Sequence, residues 1–315
     1  MSIVSSLLTS SRVEVASCNR RVPESSKHGG KKMEMDHDDN PQIALWNGVA
    51  GQAWVDEQAL LDRTLAPFQD LLLEAVRAAG ARQVLDVGCG TGGTTVAVAQ
   101  LLGESGHCTG IDISEPMIAA ARDRAERQRV PASFVCADVQ SYAFETGSFD
   151  LFISRFGVMF FPDPVRAFAN LRRAASDGAG LRFVAWRSPA ENPFMTTAER
   201  AAAPLLPDLP ARLPDAPGPF AFADERRIAR ILEESGWTSI DIQPIDVPCT
   251  FPEKDLVRYL SRFGPVSLAL NEADEPTRTR VIEAVRAAFD PFVHGEDVRY
   301  TAACWMVGAR APVSD

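Results

Sequence analysis

The middle of the chain alternates between short apolar runs and segments typical of helices. The apolar runs, in chain order, are "QVLDV", "CTGIDI", "ASFVCADV", "FDLFISRF" and "GLRFVAW". The segments between them include "TTVAVAQLLG", "EPMIAAARDRAERQR" and "DPVRAFANLRRAAS". Strands that are continuously apolar and joined by helices are typical of a parallel sheet covered on both faces. The pattern therefore predicts a doubly wound α/β domain.

Further elements flank this alternating region. Upstream, "DEQALLDRTLAPFQDLLLEAVRAAG" has helical spacing, interrupted by Pro67, and predicts one broken helix or two. Downstream, the proline-dense residues 187–222 predict irregular structure after a short helix near residues 196–203. The rest of the chain predicts a helix in "ADERRIARILEESGW", a strand in "SIDIQPIDVPCTF", helices in "EKDLVRYLSRFG" and "PTRTRVIEAVRAAF", and a last strand in "RYTAACWMVGAR".

A glycine-rich turn, "VLDVGCGTGG", contains the first apolar run and the residues after it. In doubly wound sheets, ligands bind outside the carboxyl ends of the strands where the strand order reverses, and this turn is predicted to lie there. Gly88, Gly90 and Gly93 match the G-x-G-x-x-G spacing of dinucleotide-binding turns, which alone is not specific. Asp86 distinguishes a dinucleotide from a cationic ligand, because its carboxylate would repel a diphosphate and attract a cation. The turn therefore favours S-adenosylmethionine, which carries a sulfonium and an ammonium group and no phosphate.

Carboxylates also end the next two predicted strands. Asp112 stands where nucleoside-binding sheets place the acid that accepts both ribose hydroxyls, a role that NAD would need equally. Asp138 is placed to accept from an adenine amino group, and the Val139 backbone N–H is placed to donate to the ring. Three successive strand ends thus predict contacts to three parts of one nucleoside.

Together, "VLDVGCGTGG", "GIDIS", "CADV" and "FDLFISRFGVMFF" resemble the class I S-adenosylmethionine-dependent methyltransferases, in particular the small-molecule branch that includes ubiquinone and menaquinone biosynthesis methyltransferases. The resemblance covers residues 84–186, which form the expected cofactor-binding core. It implies a seven-stranded, Rossmann-like sheet whose last strand is antiparallel. The quinone enzymes typically continue their fourth-strand motif with Leu-Arg-Asn after Gly157, whereas this chain continues with Val158, so a quinone acceptor is not implied.

The resemblance also implies S-adenosylmethionine as the cofactor, with Ser154 or Arg155 under its methionine moiety. The full set of implied cofactor-binding residues is Asp86, Gly88, Cys89, Gly90, Asp112, Ile113, Met117, Asp138, Val139, Ser154 and Arg155.

The acceptor is expected in a pocket closed by two lid segments, residues 187–222 and 252–297. Its predicted lining, each member of which has a core position as the alternative, is Phe156, Met159, Phe160, Phe194, Phe220, Phe222, Tyr259 and Phe263. Methyl transfer needs alignment and exclusion of water above all, and positioning alone contributes on the order of 7 to 11 kcal/mol. If a general base is needed, the catalytic candidates are His294, with a surface position as its alternative, and Tyr259 or Tyr300.

The segment "WNGVAGQAWVDE" lies just upstream of the first predicted helix. Trp46, Trp54 and Gln52 are candidates to fold over the methionine end of the cofactor. The alternative is that the two tryptophans only anchor the segment on the core.

Composition and charge narrow the function classes. The 315 residues are 46% hydrophobic, which suits a sizeable core, and the formal net charge of −10 opposes a nucleic-acid partner. The six scattered cysteines include no C-x-x-C pair, which predicts reduced cysteines in a cytoplasmic protein and no zinc site. No apolar run approaches the roughly 18 residues of a membrane-spanning helix. No metal is expected, and nothing indicates an oligomeric state.

The domain prediction has two parts. Residues 1–40 are expected to be a disordered tail, with a transit peptide, or a translation start at Met33 or Met35, as alternatives. Residues 41–315 are expected to form an enzyme domain that transfers a methyl group from S-adenosylmethionine to a small, apolar or aromatic acceptor. The alternatives are an NAD(P)-dependent oxidoreductase and a noncatalytic S-adenosylmethionine-binding protein.

Overall fold

The sheet has the predicted doubly wound topology. The computed structural model describes residues 40–313. Its strands are β1 (Gln83–Val87), β2 (His107–Asp112), β3 (Ser133–Cys136), β4 (Phe149–Arg155), β5 (Ala175–Trp186), β6 (Thr238–Pro252), β7 (Val293–His294) and β8 (Asp297–Arg310). Strands β1 to β5 are parallel, and β8 runs antiparallel between β5 and β6. The α/β class and the antiparallel last strand are confirmed, and the two-residue β7 is an eighth strand beyond the seven predicted.

The strand order reverses between β1 and β4. The sheet runs β3-β2-β1-β4-β5-β8-β6, so β2 and β3 extend to one side of β1 while β4 and β5 extend to the other. Side chains of β1 are buried on both faces, as its continuous apolar run predicts. The carboxyl ends of β1 to β4 therefore meet at one edge of the sheet, where ligands bind in this topology.

Helices cover both faces of the sheet. They are α1 (Pro41–Asn47), α2 (Val49–Asp56), α3 (Gln58–Ala79), α4 (Gly93–Leu102), α5 (Glu115–Gln128), α6 (Pro164–Ala174), α7 (Pro193–Ala202), α8 (Glu225–Glu234), α9 (Leu256–Arg262), α10 (Gly264–Glu272) and α11 (Glu275–Ala288). Arg155 on β4 donates to the Leu65 carbonyl oxygen of α3, whereas Phe152, on the opposite face of β4, packs against Trp237 after α8. Helices α3 to α5 thus cover one face, and α6 and α8 cover the other.

Helix α3 is one continuous helix, although Pro67 suggested a break. An internal proline costs a helix about 3 kcal/mol. The apolar stripe that runs from Leu60 to Val76 along α3 is buried, and each large apolar side chain contributes about 1.5–3 kcal/mol on burial. Packing of the stripe therefore outweighs the local cost of the proline.

Two elements in the C-terminal part of the chain, α10 and β6, contain residues that usually interrupt a helix or a strand. Helix α10 was not predicted, because Gly264 and Pro265 follow α9 directly and read as a helix end. Strand β6 contains Pro244 and Pro248, which lack a backbone N–H. It tolerates them because it is the last strand in the sheet order and pairs only with β8.

The predicted tail, residues 1–40, lies outside the described residues except for Asn40, as do the alternatives that concern a transit peptide and Met33 or Met35. Between residues 40 and 313, no helix is long and apolar enough to cross a bilayer. The same stretch contains no group of His, Cys, Asp and Glu side chains that could hold a metal ion.

Candidate functional site

A cavity of about 520 Å³ opens at the edge of the sheet where the order reverses. The first four strands each contribute to its wall, through Gly88 after β1, Asp112 on β2, Asp138 after β3 and Arg155 on β4. We call the wall formed within residues 88–157 the sheet half, and the wall formed within residues 194–300 the helical half. The N-terminal helices α1 and α2 border both halves.

The glycine turn presents backbone to the sheet half. Gly88, Gly90 and Gly92 have φ values of 66°, 55° and 76°, which glycine adopts without strain. A Cβ atom at Gly88 would lie 2.7 Å from the Gly157 Cα atom, so the turn packs backbone to backbone on the segment after β4. A Cβ atom at Gly90 would instead meet the Met117 sulfur at 3.8 Å. Gly90 therefore faces open cavity, with Met117 beside it in the wall.

Asp112 presents a carboxylate that the backbone holds in place. Its Oδ2 atom accepts from the Gly90 N–H at 2.8 Å, and its Oδ1 atom accepts from the Ser114 N–H at 3.0 Å. Burial raises the pKa of Asp112, and these backbone hydrogen bonds oppose the rise. Because each oxygen retains accepting capacity, the carboxylate can accept two further hydroxyl groups from the cavity.

Asp138 and Val139 form the next part of the sheet half, beside Ile113. The Asp138 Oδ1 atom accepts from the Gln140 N–H at 2.8 Å, and Oδ2 accepts from the Asn40 Nδ2 atom at 3.1 Å. Asn40 is also the N-cap of α1. The N-terminal helix is thus tied to the carboxylate that was expected to accept from an adenine amino group.

Asp86 does not line the cavity, so it makes no direct contact with a ligand there. The side chain is 1% exposed and lies beneath the glycine turn. Its Oδ2 atom accepts from the Thr95 hydroxyl, in the first turn of α4, at 2.7 Å. Burial raises the pKa of Asp86 to about 6, while Thr95 and the positive charge of Arg155 act to lower it. The carboxylate therefore lies against the first turn of α4 from inside the protein, and its charge opposes a diphosphate at that helix N-terminus.

Of the two residues expected under a methionine moiety, Arg155 lines the cavity and Ser154 does not. Ser154 is fully buried, and its hydroxyl donates to the β1 backbone at 2.7 Å. Cys89 is also buried behind the wall, and burial raises the pKa of its thiol well above the usual value. The charges of Asp62 and Asp86 offset part of the cost of burying the Arg155 guanidinium. Ser154 and Cys89 therefore support the wall, and Arg155 gives it a positive charge.

Aromatic rings run along the cavity in an unbroken series. We call this series the aromatic chain, which consists, in order of contact, of Phe160, Trp46, Trp54, Phe263, Tyr259, Phe194 and Tyr300. Neighbouring ring centroids are between 3.8 and 6.2 Å apart. Rings at such distances attract one another beyond the effect of area burial. The aromatic chain therefore gives the cavity a firm wall suited to a flat apolar molecule.

Most residues predicted for the acceptor pocket lie in the wall, namely Phe156, Met159, Phe160, Phe194, Tyr259 and Phe263. Phe220 and Phe222 do not line the cavity, and their assignment is wrong. Phe222 is 1% exposed and packs on Phe168 and Phe183 in the core. Phe220 instead lies under the Arg212 guanidinium, 4.9 Å from the ring centroid. Apolar residues after a proline-rich segment face a core as readily as a pocket.

The candidate bases are not placed to remove a proton. His294 is exposed on the β7–β8 hairpin and does not line the cavity, so the surface alternative holds. Tyr259 and Tyr300 do line the cavity. Burial raises the pKa of Tyr259 to about 12 and also raises the pKa of Tyr300. Both phenols are therefore uncharged near neutral pH and act as hydrogen-bond donors.

The N-terminal segment borders the cavity with its two tryptophans. Trp46 and Trp54 line the wall, whereas the Gln52 amide points to Asp56, whose Oδ1 atom accepts from it at 2.9 Å. The Ser114 hydroxyl after β2 donates to the Trp46 carbonyl oxygen at 2.6 Å and ties the segment to the sheet edge. The geometry thus supports a covering role for the tryptophans and none for Gln52.

The helical half also contains charged side chains that were not predicted from the sequence. Arg212 pairs with Glu199, and Arg262 contacts Asp56 at 2.7 Å. Arg212, Glu199 and Arg262 line the cavity. No motif marks them, because the partners come from separate helices and loops. Both arginines are neutralised by carboxylates of the protein itself.

Part of the chain is similar to known methyltransferases. Residues 84–178 match the family model of a methyltransferase domain. The chain is 31% identical over 137 residues to an aklanonic acid methyltransferase of Streptomyces sp. strain C5, which covers 42% of the chain and 62% of that relative. It is 34% identical over 98 residues to a demethylmenaquinone methyltransferase of Shouchella clausii, which covers 31% of the chain and 42% of that relative. The chain thus spans about half the length of these curated relatives.

A solved structure has a similar fold. A putative methyltransferase from Bacillus halodurans superimposes with a TM-score of 0.50 at 16% identity, over 76% of this chain and 99% of that one. At this identity the likeness concerns the fold alone.

Proposed function

We propose that this chain transfers a methyl group from S-adenosylmethionine to a small acceptor. Its residues 84–178 belong to the methyltransferase domain family, as the resemblance predicted. The observation that carries the proposal is a single cavity that joins two different surfaces. Its sheet half offers the Asp112 carboxylate, and the aromatic chain extends along the cavity into the helical half. A nucleoside cofactor and a flat acceptor can therefore meet inside one enclosed space.

The residues of the sheet half fit the cofactor. Asp112 would accept the two ribose hydroxyls, and Asp138 and the Val139 N–H would serve the adenine. Gly90 leaves space beside Met117 for the ligand. Arg155 has the charge that suits the carboxylate of the methionine moiety. When bound there, S-adenosylmethionine supplies an electrophilic methyl group on a positively charged sulfur.

The contribution of this chain to the reaction is to align the reactants and to exclude water. Trp46 and Trp54 cover the cavity from α1 and α2, and the ion pair between Arg262 and Asp56 joins α9 to that cover. Alignment of a nucleophile with an electrophile contributes on the order of 7 to 11 kcal/mol. The wall hydroxyls are donors and position the acceptor without taking a proton from it.

The position of Asp86 argues against the oxidoreductase alternative. A dinucleotide would place its diphosphate at the N-terminus of α4, and the charge of the buried Asp86 carboxylate against that turn would repel it. The comparisons give no support to this alternative or to a noncatalytic binding protein.

Calorimetric titration tests the cofactor. S-adenosylhomocysteine should bind the purified protein, and NADH should not. Asp112→Asn should weaken the binding of S-adenosylhomocysteine by about 10- to 100-fold, because hydrogen bonds to a charged group contribute about 1.5–3 kcal/mol. Asp163→Asn is the matched control, since this exposed N-cap of α6 stands outside the cavity and asparagine caps equally well. Tight NADH binding without S-adenosylhomocysteine binding would overturn the proposal.

Transfer itself is tested with S-adenosylmethionine that carries a labelled methyl group. Aromatic and polyketide-like acceptors should gain the label in the presence of the protein. S-adenosylhomocysteine binding without any labelled product would favour the noncatalytic alternative.

A further inference from the structure

Tyr259 occupies the middle of the helical half. Its ring packs on Phe194, Phe251 and Phe263, with centroids 5.9, 5.2 and 5.4 Å away. Tyr259 lines the cavity, and within the part of the chain that the structure describes its hydroxyl has no hydrogen-bond partner. A hydroxyl group that packs among aromatic rings costs free energy unless a partner accepts a hydrogen bond from it. An occupant of the cavity can supply that partner.

Tyr300 provides a contrast on the same wall. Its ring stacks on Phe194, with centroids 3.8 Å apart and planes 5° apart. Burial raises the pKa of Tyr300, and the interaction of its hydroxyl with the Cys249 thiol inside the protein adds to the rise. Of the two phenols that face the helical half, Tyr259 is therefore the one with a hydrogen bond left to give.

The arginines of the helical half are already paired with carboxylates, which favours an uncharged ligand. The Arg212 guanidinium is paired with Glu199, and the Arg262 guanidinium is paired with Asp56. An anionic ligand would have to lose its water without gaining a free cation in this half, which is unfavourable. A neutral hydrogen-bond acceptor on a flat apolar body meets no such cost.

We propose that the Tyr259 hydroxyl donates a hydrogen bond to a carbonyl oxygen of the acceptor, and that the acceptor is a flat, uncharged aromatic carbonyl compound. Tyr259 is then a positioning residue, which sets the orientation of the acceptor relative to the sheet half while the methylated atom lies elsewhere on the molecule. This inference rests on the proposed function, because that function identifies the second occupant of the cavity as the acceptor.

A pair of probes isolates the hydrogen bond. Fluorenone and fluorene have the same flat ring system and differ in one carbonyl group. Each is titrated into the full-length protein saturated with S-adenosylhomocysteine, with tryptophan fluorescence as the readout because Trp46 and Trp54 line the cavity. Tyr259→Phe should weaken fluorenone binding about three- to tenfold and leave fluorene binding unchanged. Tyr142→Phe is the matched control, because this tyrosine packs on Phe144 outside the cavity, and it should leave both affinities unchanged.

Infrared spectroscopy gives a second readout that a purely structural role would not move. The carbonyl stretch of bound fluorenone should lie at lower frequency in the wild-type protein than in Tyr259→Phe. Absence of fluorenone binding to the wild-type protein, equal loss of both probes in Tyr259→Phe, or an unshifted carbonyl band would overturn the inference and leave the proposed function standing. Failure of S-adenosylhomocysteine to bind the wild-type protein would overturn the proposed function and the inference with it.

Discussion

Replacing Asp86 by asparagine should make the protein more stable and its cofactor binding weaker. The Asp86 side chain is 1% exposed and accepts a hydrogen bond from the Thr95 hydroxyl at 2.7 Å. Asparagine has nearly the same shape, and its side-chain oxygen can still accept that bond. Because asparagine carries no charge, the substitution isolates the cost of burying the carboxylate.

The size of this effect follows from the pKa of Asp86. Burial raises the pKa from 3.8 to about 6, although Thr95 and Arg155 act to lower it. A rise of about two units corresponds to about 3 kcal/mol, at about 1.36 kcal/mol per unit. Because the folded state has the higher pKa, it binds the proton more tightly, and the cost is absent below about pH 4 and complete above about pH 6. The stability advantage of Asp86→Asn should therefore grow between these pH values and then stay constant.

Urea unfolding at a series of pH values measures this difference directly. Titration of the other groups cancels when the free energy of unfolding of the wild type is subtracted from that of Asp86→Asn. A difference that stays constant from about pH 4 to about pH 8 would refute the raised pKa.

Calorimetry tests the functional part of the same prediction. Without the Asp86 charge, the Arg155 guanidinium and the N-terminus of α4 would leave uncompensated positive potential beneath the turn. S-adenosylmethionine, which has a positively charged sulfur, should then bind more weakly to Asp86→Asn than to the wild type. A stabilised variant with unchanged affinity would refute this electrostatic role.

Further substitutions test the cover of the cavity and the stability of the folded chain. Trp46→Ala should weaken S-adenosylhomocysteine binding because the ring lines the cavity, while Gln52→Ala should leave it unchanged in calorimetry, and equal effects would argue against the covering role. Asn192→Ala should lower the free energy of unfolding in urea by about 2–4 kcal/mol, because the buried amide bonds to the Ala303 N–H and carbonyl groups, which would be left unsatisfied. Thr196→Ala on the outer side of α7 is its control, and a loss of the same size there would contradict this reasoning.

The sheet could be predicted from the sequence because its signals are local. Each apolar run is short and continuous, and all but the one that forms β3 are followed by a helix, so the parallel direction of β1 to β5 follows from segments that are neighbours in the chain. The elements that were missed depend on tertiary packing. Helix α3 continues through Pro67 because its apolar stripe is buried against the core. Strand β7 has only two residues and forms because it pairs with β8.

The sheet half of the site was predictable for a related reason. Asp112, Asp138 and Arg155 stand at or just after the carboxyl ends of parallel strands, and this topology brings such positions together whatever the loops do. The pattern does not show which way a side chain points when both faces of the sheet are buried. Asp86 is at a strand end too, but its carboxylate turns beneath the glycine turn to Thr95 and away from the cavity.

The aromatic chain could not be predicted as a unit, because its rings come from α1, α2, α7, α9, β8 and the turns between elements and meet only in the folded chain. Tyr259, Phe194 and Tyr300 pack on one another and on neighbours such as Phe251 and Phe289, away from the glycine turn. Sites without shared partners act almost independently. Substitutions among these three rings should therefore alter which acceptor binds while cofactor affinity stays the same, so the two halves of the cavity can be separated by mutation.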